Sequence, residues 1–144
     1  MDEAAGQPLA PKLFTPNEAN DLLPQVIPLI KQLQQLSQSI LKVNQQLDEL
    51  AKKLAQGNGF PIQSLKDQMR QLTTHQFQLI EAFESALSQL EGLGAVLKDL
   101  SLGLVDFYGM REGQLICLCW KLGEAVVRFW HTPEEGYAGR QPLG

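Results

Sequence analysis

Seven residues of types that can do chemistry crowd into the last third of this chain: Asp106, Arg111, Cys117, Cys119, Glu124, His131 and Arg140. Carboxylate and imidazole side chains can transfer protons, and an arginine can hold a carboxylate or phosphate with two parallel hydrogen bonds. Asp106 stands out because it interrupts the apolar run Leu104 to Tyr108. An acid there needs a charged partner such as Arg111 or Arg140, a set of backbone N–H donors, or a ligand. Asp106, Glu124 and His131 are also the weak candidates for a mixed carboxylate and imidazole metal site, although their spacing matches no ligand signature. No cofactor is expected from motif alone.

Other constellations are thinner. Cys117 and Cys119 form one C-x-C with no second pair, which argues against structural zinc of the four-cysteine type. A disulfide between residues two apart is strained, so both are expected to be reduced and buried. Cys119 with His131 can be written as a nucleophilic dyad, but a thiolate is disfavoured inside an apolar strand. Gly136-Tyr137-Ala138-Gly139-Arg140 offers either an anion-holding loop or an ordered tail turning over a sheet. Trp120, Trp130 and Tyr137 can form an aromatic surface. Trp120 and Trp130 are interface candidates on that basis.

The elements that must position these residues are clear. Leu22, Val26, Leu29, Leu33, Leu36, Ile40, Val43, Leu47, Leu50 and Leu54 recur at alternating steps of four and three. Leu65, Met69, Leu72, Gln76, Leu79, Phe83, Ala86 and Leu90 do the same. Folding back at Gly57-Asn58-Gly59-Phe60-Pro61 sets Leu54 opposite Leu65, Leu47 opposite Leu72, and Val43 opposite Gln76. That is an antiparallel two-helix coiled-coil hairpin. Gln76, polar in the seam, is expected to set register rather than to bind a ligand.

Thr15-Pro16-Asn17-Glu18 is a capping box with proline at the first helical position, so helix one should run from about Pro16 to about Gln56. Pro24 and Pro28 each remove a hydrogen bond, and a kink or break is expected there. The long part, from Leu29, should reach roughly 40 Å at 1.5 Å per residue. Helix two should run from about Pro61 or Ile62 to about Glu91, ended by Gly92 and Gly94. Ile30, Phe77, Ile80 and Leu87 lie beside the seam, more apolar surface than a hairpin can bury. Phe77 and Ile80 are therefore also interface candidates.

After Gly94 the period drops to two. Ala95 to Lys98, Gly103 to Tyr108, Gln114 to Trp120 and Val126 to His131 read as strands, with turns at 109–113 and 121–124. The expected fold is α+β: a hairpin over 13–92, a small antiparallel meander over 93–131 near its open end, and a tail over 132–144. Residues 1–12 read as a disordered lead-in.

The C-terminal motif also carries a family resemblance. Gly103-Leu104-Val105-Asp106-Phe107, Arg111, Gly113, Leu118-Cys119-Trp120, Gly123-Glu124, Trp130-His131, Gly136 and Gly139-Arg140 resemble the bacterial domain of unknown function 2203. The Phe14-Thr15 opening and paired helices extend the likeness from about 13 to 143. The resemblance implies that Asp106, Arg111, Glu124, His131 and Arg140 hold the family's characteristic polar positions. It carries no reaction, since the family's activity is unassigned. Tyr108-Gly109 departs from it, standing where a proline-containing turn is expected.

At 144 residues and net charge −4, the chain is one domain's worth of sequence with no basic face for nucleic acid. Met1 to Pro8 is acidic and lacks an apolar signal region, and no apolar run approaches membrane length. A cytoplasmic, non-enzymatic protein-interaction or scaffold module is expected, with a homodimer or another protein partner. The alternative is a small enzyme or ligand-binding protein whose polar site joins Asp106, Glu124, His131 and an arginine.

Overall fold

The computed structural model describes residues 12–57 and 59–144. Most of the expected lead-in lies outside the described residues. Helix α1 spans Pro16–Gln56 and α2 spans Ile62–Gly92. They are followed by β1 (Val96–Asp99), β2 (Leu104–Arg111), β3 (Gln114–Lys121), β4 (Phe129–His131) and β5 (Gln141–Pro142). The strands form one antiparallel sheet in chain order. The fold is α+β: two long helices packed together, then a five-stranded meander.

Two compact units divide the chain, one of Lys31–Ser88 and the other of 12–30 with Gln89–Gly144. In the helical unit, Leu33, Val43, Leu50, Leu65 and Ala86 are buried along the expected seam. Gln76 donates from Nε2 to Asn44 Oδ1 at 2.6 Å, beside the Val43 that the periodicity sets opposite it. A polar pair that crosses the seam at one level penalises a helix slipped by a turn.

The capping box forms as the sequence dictates. The Thr15 N–H donates to Glu18 Oε1 at 2.9 Å, and the Glu18 N–H donates to Thr15 Oγ1 at 3.1 Å. Pro24 and Pro28, however, do not break α1, which is continuous through both. Both prolines are exposed and lie four apart, on one strip of the helix. The carbonyls that lose their N–H partners, those of Asn20 and Pro24, therefore lie on the outer side, where water can satisfy them.

In the other unit, Phe14, Ala19, Leu23, Val26 and Ile30 are buried together with Val105, Phe107, Leu118 and Trp120 of the sheet. Phe14 meets Phe107 edge-on with centroids 5.4 Å apart, and its N–H donates to Tyr108 O at 2.8 Å. Gly109 explains itself here: a Cβ would stand 2.8 Å from the Phe14 carbonyl oxygen.

Beyond shifts of a single residue, the strands differ from expectation in three places. β2 continues through Gly109 to Arg111, because the reversal needs just Glu112 and Gly113, both at positive φ (52° and 78°). Two such residues make the hairpin turn whose twist suits the flanking strands. Val126 to Arg128 lies outside the ladder, and the Val127 N–H donates instead to Asn20 Oδ1 at 2.6 Å. The fifth strand, β5, was not anticipated. It pairs with Phe129 and Trp130 of β4.

Candidate functional site

Residues directly opposite each other in an antiparallel sheet share a face. The register sets Asp106 of β2 across from Cys119 of β3, and Cys119 across from Phe129 of β4. Two residues along each strand, Tyr108, Cys117 and His131 are likewise aligned. Asp106, Cys117, Cys119 and His131 therefore share one face. All four are buried, Asp106 at 1% exposure and His131 at 3%.

His131 is held from both sides. Its Nδ1 lies 2.7 Å from the Thr132 carbonyl oxygen, an acceptor, so Nδ1 carries the proton and donates. Nε2 points at the Asp106 carboxylate, 3.1 Å from Oδ1 and 3.1 Å from Oδ2. Hydrogen-bond geometry holds for Oδ1, whereas Oδ2 is buried with no hydrogen-bond partner among the described residues. Ligand atoms of Asp106, Cys117 and His131 lie within 4.8 Å of one another. Burial and then the negative charge of Asp106 push the Cys117 thiol up to about 11. The same causes push Cys119 up to about 12. Neither is an activated nucleophile, and the Nε2 that a Cys119 dyad would use faces Asp106.

The tail closes over this face. Thr132 and Glu135 exchange hydrogen bonds in a capping-box pattern, Thr132 N–H to Glu135 Oε1 at 3.3 Å and Glu135 N–H to Thr132 Oγ1 at 3.2 Å. A 3-10 turn at Tyr137–Gly139 follows. Arg140 then places its guanidinium 4.0 Å from the Phe129 ring centroid and 4.8 Å from that of Tyr137. Its Nη2 donates to Glu124 Oε1 at 3.0 Å and to Cys119 O at 3.4 Å. Glu124 Oε1 also accepts the Lys121 N–H at 2.8 Å, and the Glu124 carbonyl accepts Trp120 Nε1 at 2.9 Å. Glu124 thus ties the β3–β4 turn to the tail. Lys121 Nζ donates to the Tyr137 hydroxyl at 3.3 Å; that contact, then Arg140, lowers the Tyr137 pKa.

The five sequence candidates consequently fall into three places. Asp106 joins His131, Glu124 joins Arg140, and Arg111 belongs to the opposite face, its guanidinium 4.9 Å from the Trp130 centroid. They do not converge on one open pocket. In the metal trio, Cys117 stands where Glu124 was expected, since Glu124 is committed to Arg140 and the Lys121 backbone. Nor is the 136–140 loop an anion cradle: the N–H groups of Gly136, Gly139 and Arg140 all donate within the tail. Trp120 is fully buried, a core residue and not a surface one. Trp130 is half-buried under Arg111.

Asn20, Thr132 and Phe129 escaped the sequence analysis. The Thr132-x-x-Glu135 spacing could have revealed the tail turn, whereas Asn20 acts on a residue 107 positions away and left no local signal.

A sheet with this motif and two long paired helices defines the class. The chain belongs to the family described as uncharacterized conserved protein (DUF2203), whose model matches residues 12–143. No curated protein and no solved structure matches it. No helix among the described residues is long and apolar enough to cross a membrane.

Proposed function

We propose that this protein is a non-enzymatic, cytoplasmic protein-interaction module that works through one face of its helical hairpin, with a second copy of the chain as partner. The observation carrying this is the exposure of Leu41 (58%), Phe77 (62%) and Ile80 (37%). Leu41 follows the seam residue Ile40, Phe77 follows Gln76, and Ile80 lies four beyond Gln76. In a heptad, positions one and four after such a seam residue flank it on the same side, and in an antiparallel pair these flanks adjoin. The three side chains therefore belong to one broad face, where isolated exposed apolar residues would mean little.

Charge favours a second copy over an unrelated partner. Arg70, Phe77 and Glu84 are seven apart and lie in one row along α2. A two-fold axis at Phe77 lays α2 antiparallel to its copy and sets each Arg70 against the other copy's Glu84. An isologous interface requires such self-complementarity. Two hairpins so joined make a four-helix bundle.

Light scattering across micromolar concentrations tests the proposal. The wild type should be a dimer, and Phe77→Glu or Arg70→Glu should shift it toward monomer. The double reversal Arg70→Glu/Glu84→Arg should restore the dimer. A wild type that stays monomeric throughout overturns it.

A further inference from the structure

We infer that Asp106, Cys117 and His131 form a binding site for one zinc ion between the sheet and the tail. Thiolate, imidazole and carboxylate are the donors zinc accepts, usually in tetrahedral arrangement. Metal–ligand bonds of about 2.0–2.3 Å place tetrahedral donors roughly 3.4–3.8 Å apart. The three ligand atoms already lie within 4.8 Å of one another, so the Cys117 sulfur needs to draw in by about an ångström from that bound, while Nε2 and the carboxylate, 3.1 Å apart, open by a few tenths.

Two features of the site, both centred on Asp106, fit a bound cation. The first is the orientation of His131. Its Nδ1 proton is committed to the Thr132 carbonyl, the outer hydrogen bond that fixes a metal-ligating imidazole. That leaves the Nε2 lone pair facing a carboxylate at 3.1 Å. Two acceptors face to face repel, so Nε2 either carries a proton or shares a cation with the carboxylate. The second is Asp106 Oδ2, buried without a geometric hydrogen bond among the described residues, on the same face as the Cys117 sulfur.

A proton on Nε2 would answer the first feature, as an imidazolium–carboxylate pair. It would face both carboxylate oxygens at 3.1 Å and leave the Cys117 thiol as a weak donor to Asp106. Zinc answers both by taking the Nε2 lone pair, a carboxylate oxygen and the Cys117 sulfur. Binding displaces the Cys117 thiol proton to solvent, and also the Nε2 proton wherever one is present. Nearby, Arg140 reaches the Cys119 carbonyl and offsets the anionic ligand set.

The test is cobalt titration of the reduced, chelator-treated full chain. One equivalent should bring up near-ultraviolet thiolate-to-cobalt charge transfer and tetrahedral visible bands, and one equivalent of zinc should abolish both. Cys117→Ser should lose the charge-transfer band, and His131→Gln should weaken binding at least tenfold. Glu124→Gln should keep the signal. If folded wild type takes up neither ion at micromolar concentrations, or if the band survives in Cys117→Ser, the inference fails. Should that variant not fold, X-ray absorption of zinc-loaded wild type decides: sulfur in the shell supports the site, and a shell of nitrogen and oxygen alone overturns it.

Discussion

Asn20 in the second turn of α1 accepts the backbone N–H of Val127 at 2.6 Å, across 107 residues of sequence. That N–H belongs to a segment that has left the sheet ladder, and Val127 itself is buried. Removing the acceptor strands a donor where water is excluded, at a cost of about 1–3 kcal/mol. Asn20→Ala should lower the urea midpoint accordingly, with the slope of the transition unchanged. Asn20→Asp, which keeps an acceptor, should recover much of the loss.

The two prolines inside α1 make the opposite kind of prediction. Each is exposed and the helix runs through both, so each is a local cost that packing elsewhere offsets. A helix-interior proline is about 3 kcal/mol worse than alanine in model systems. Pro24→Ala and Pro28→Ala should each raise the thermal midpoint, by an amount that corresponds to about 1–3 kcal/mol. A fall in either would mean that the proline ring packs against something essential.

The thiols give a prediction with a sign. In the folded protein, burial and then Asp106 hold Cys117 near 11 and Cys119 near 12. At pH 8 a thiol of pKa 11 is ionised to about one part in a thousand, so a thiol-specific disulfide reagent should find neither group until the chain unfolds. In the unfolded chain both thiols ionise near their ordinary value of 9.0. Between that value and the folded ones the native state binds more protons, so its stability falls as pH rises through the window. Chemical denaturation at pH 8 and pH 10 should show the loss in wild type. A Cys117→Ala/Cys119→Ala variant should lack it.

Arg140 pins the tail with a carboxylate, a backbone carbonyl and two aromatic rings. Its loss leaves the largely buried Glu124 without its ion-pair partner, the Lys121 N–H still donating to it. Arg140→Ala should cost about 1–3 kcal/mol. It should also speed hydrogen exchange from Thr132 to Gly139 and open that stretch to proteolysis, while the helices keep their protection. Arg140→Lys should rescue the charge but not the flat contact with Phe129 and Tyr137.

These residues also mark how far the sequence reaches. Helix boundaries were legible because Thr15, Glu18 and the glycines at 57 and 59 state them locally. The continuity of α1 was not, because whether a proline breaks a helix depends on whether its freed carbonyl meets solvent or core. Asp106 and His131 were conspicuous by type alone. Their partnership was hidden, since it depends on β2, β3 and β4 falling into one register, and a slip of a single residue would point either away. Glu124 looked equivalent to Asp106 in the chain. Three residues of turn geometry gave it to the Lys121 backbone instead.

The outermost strands decide how this sheet can meet other chains. An unpaired strand edge is a template on which further strands can add. One edge here is β5, two residues long, with Pro142 supplying no N–H. The other is β1, four residues long, with an exposed Lys98 and a register shift between Leu97 and Asp99. Neither offers a straight row of free donors and acceptors. Among the described residues, both margins of a sheet rich in valine, leucine and aromatic residues thus disfavour strand-by-strand addition.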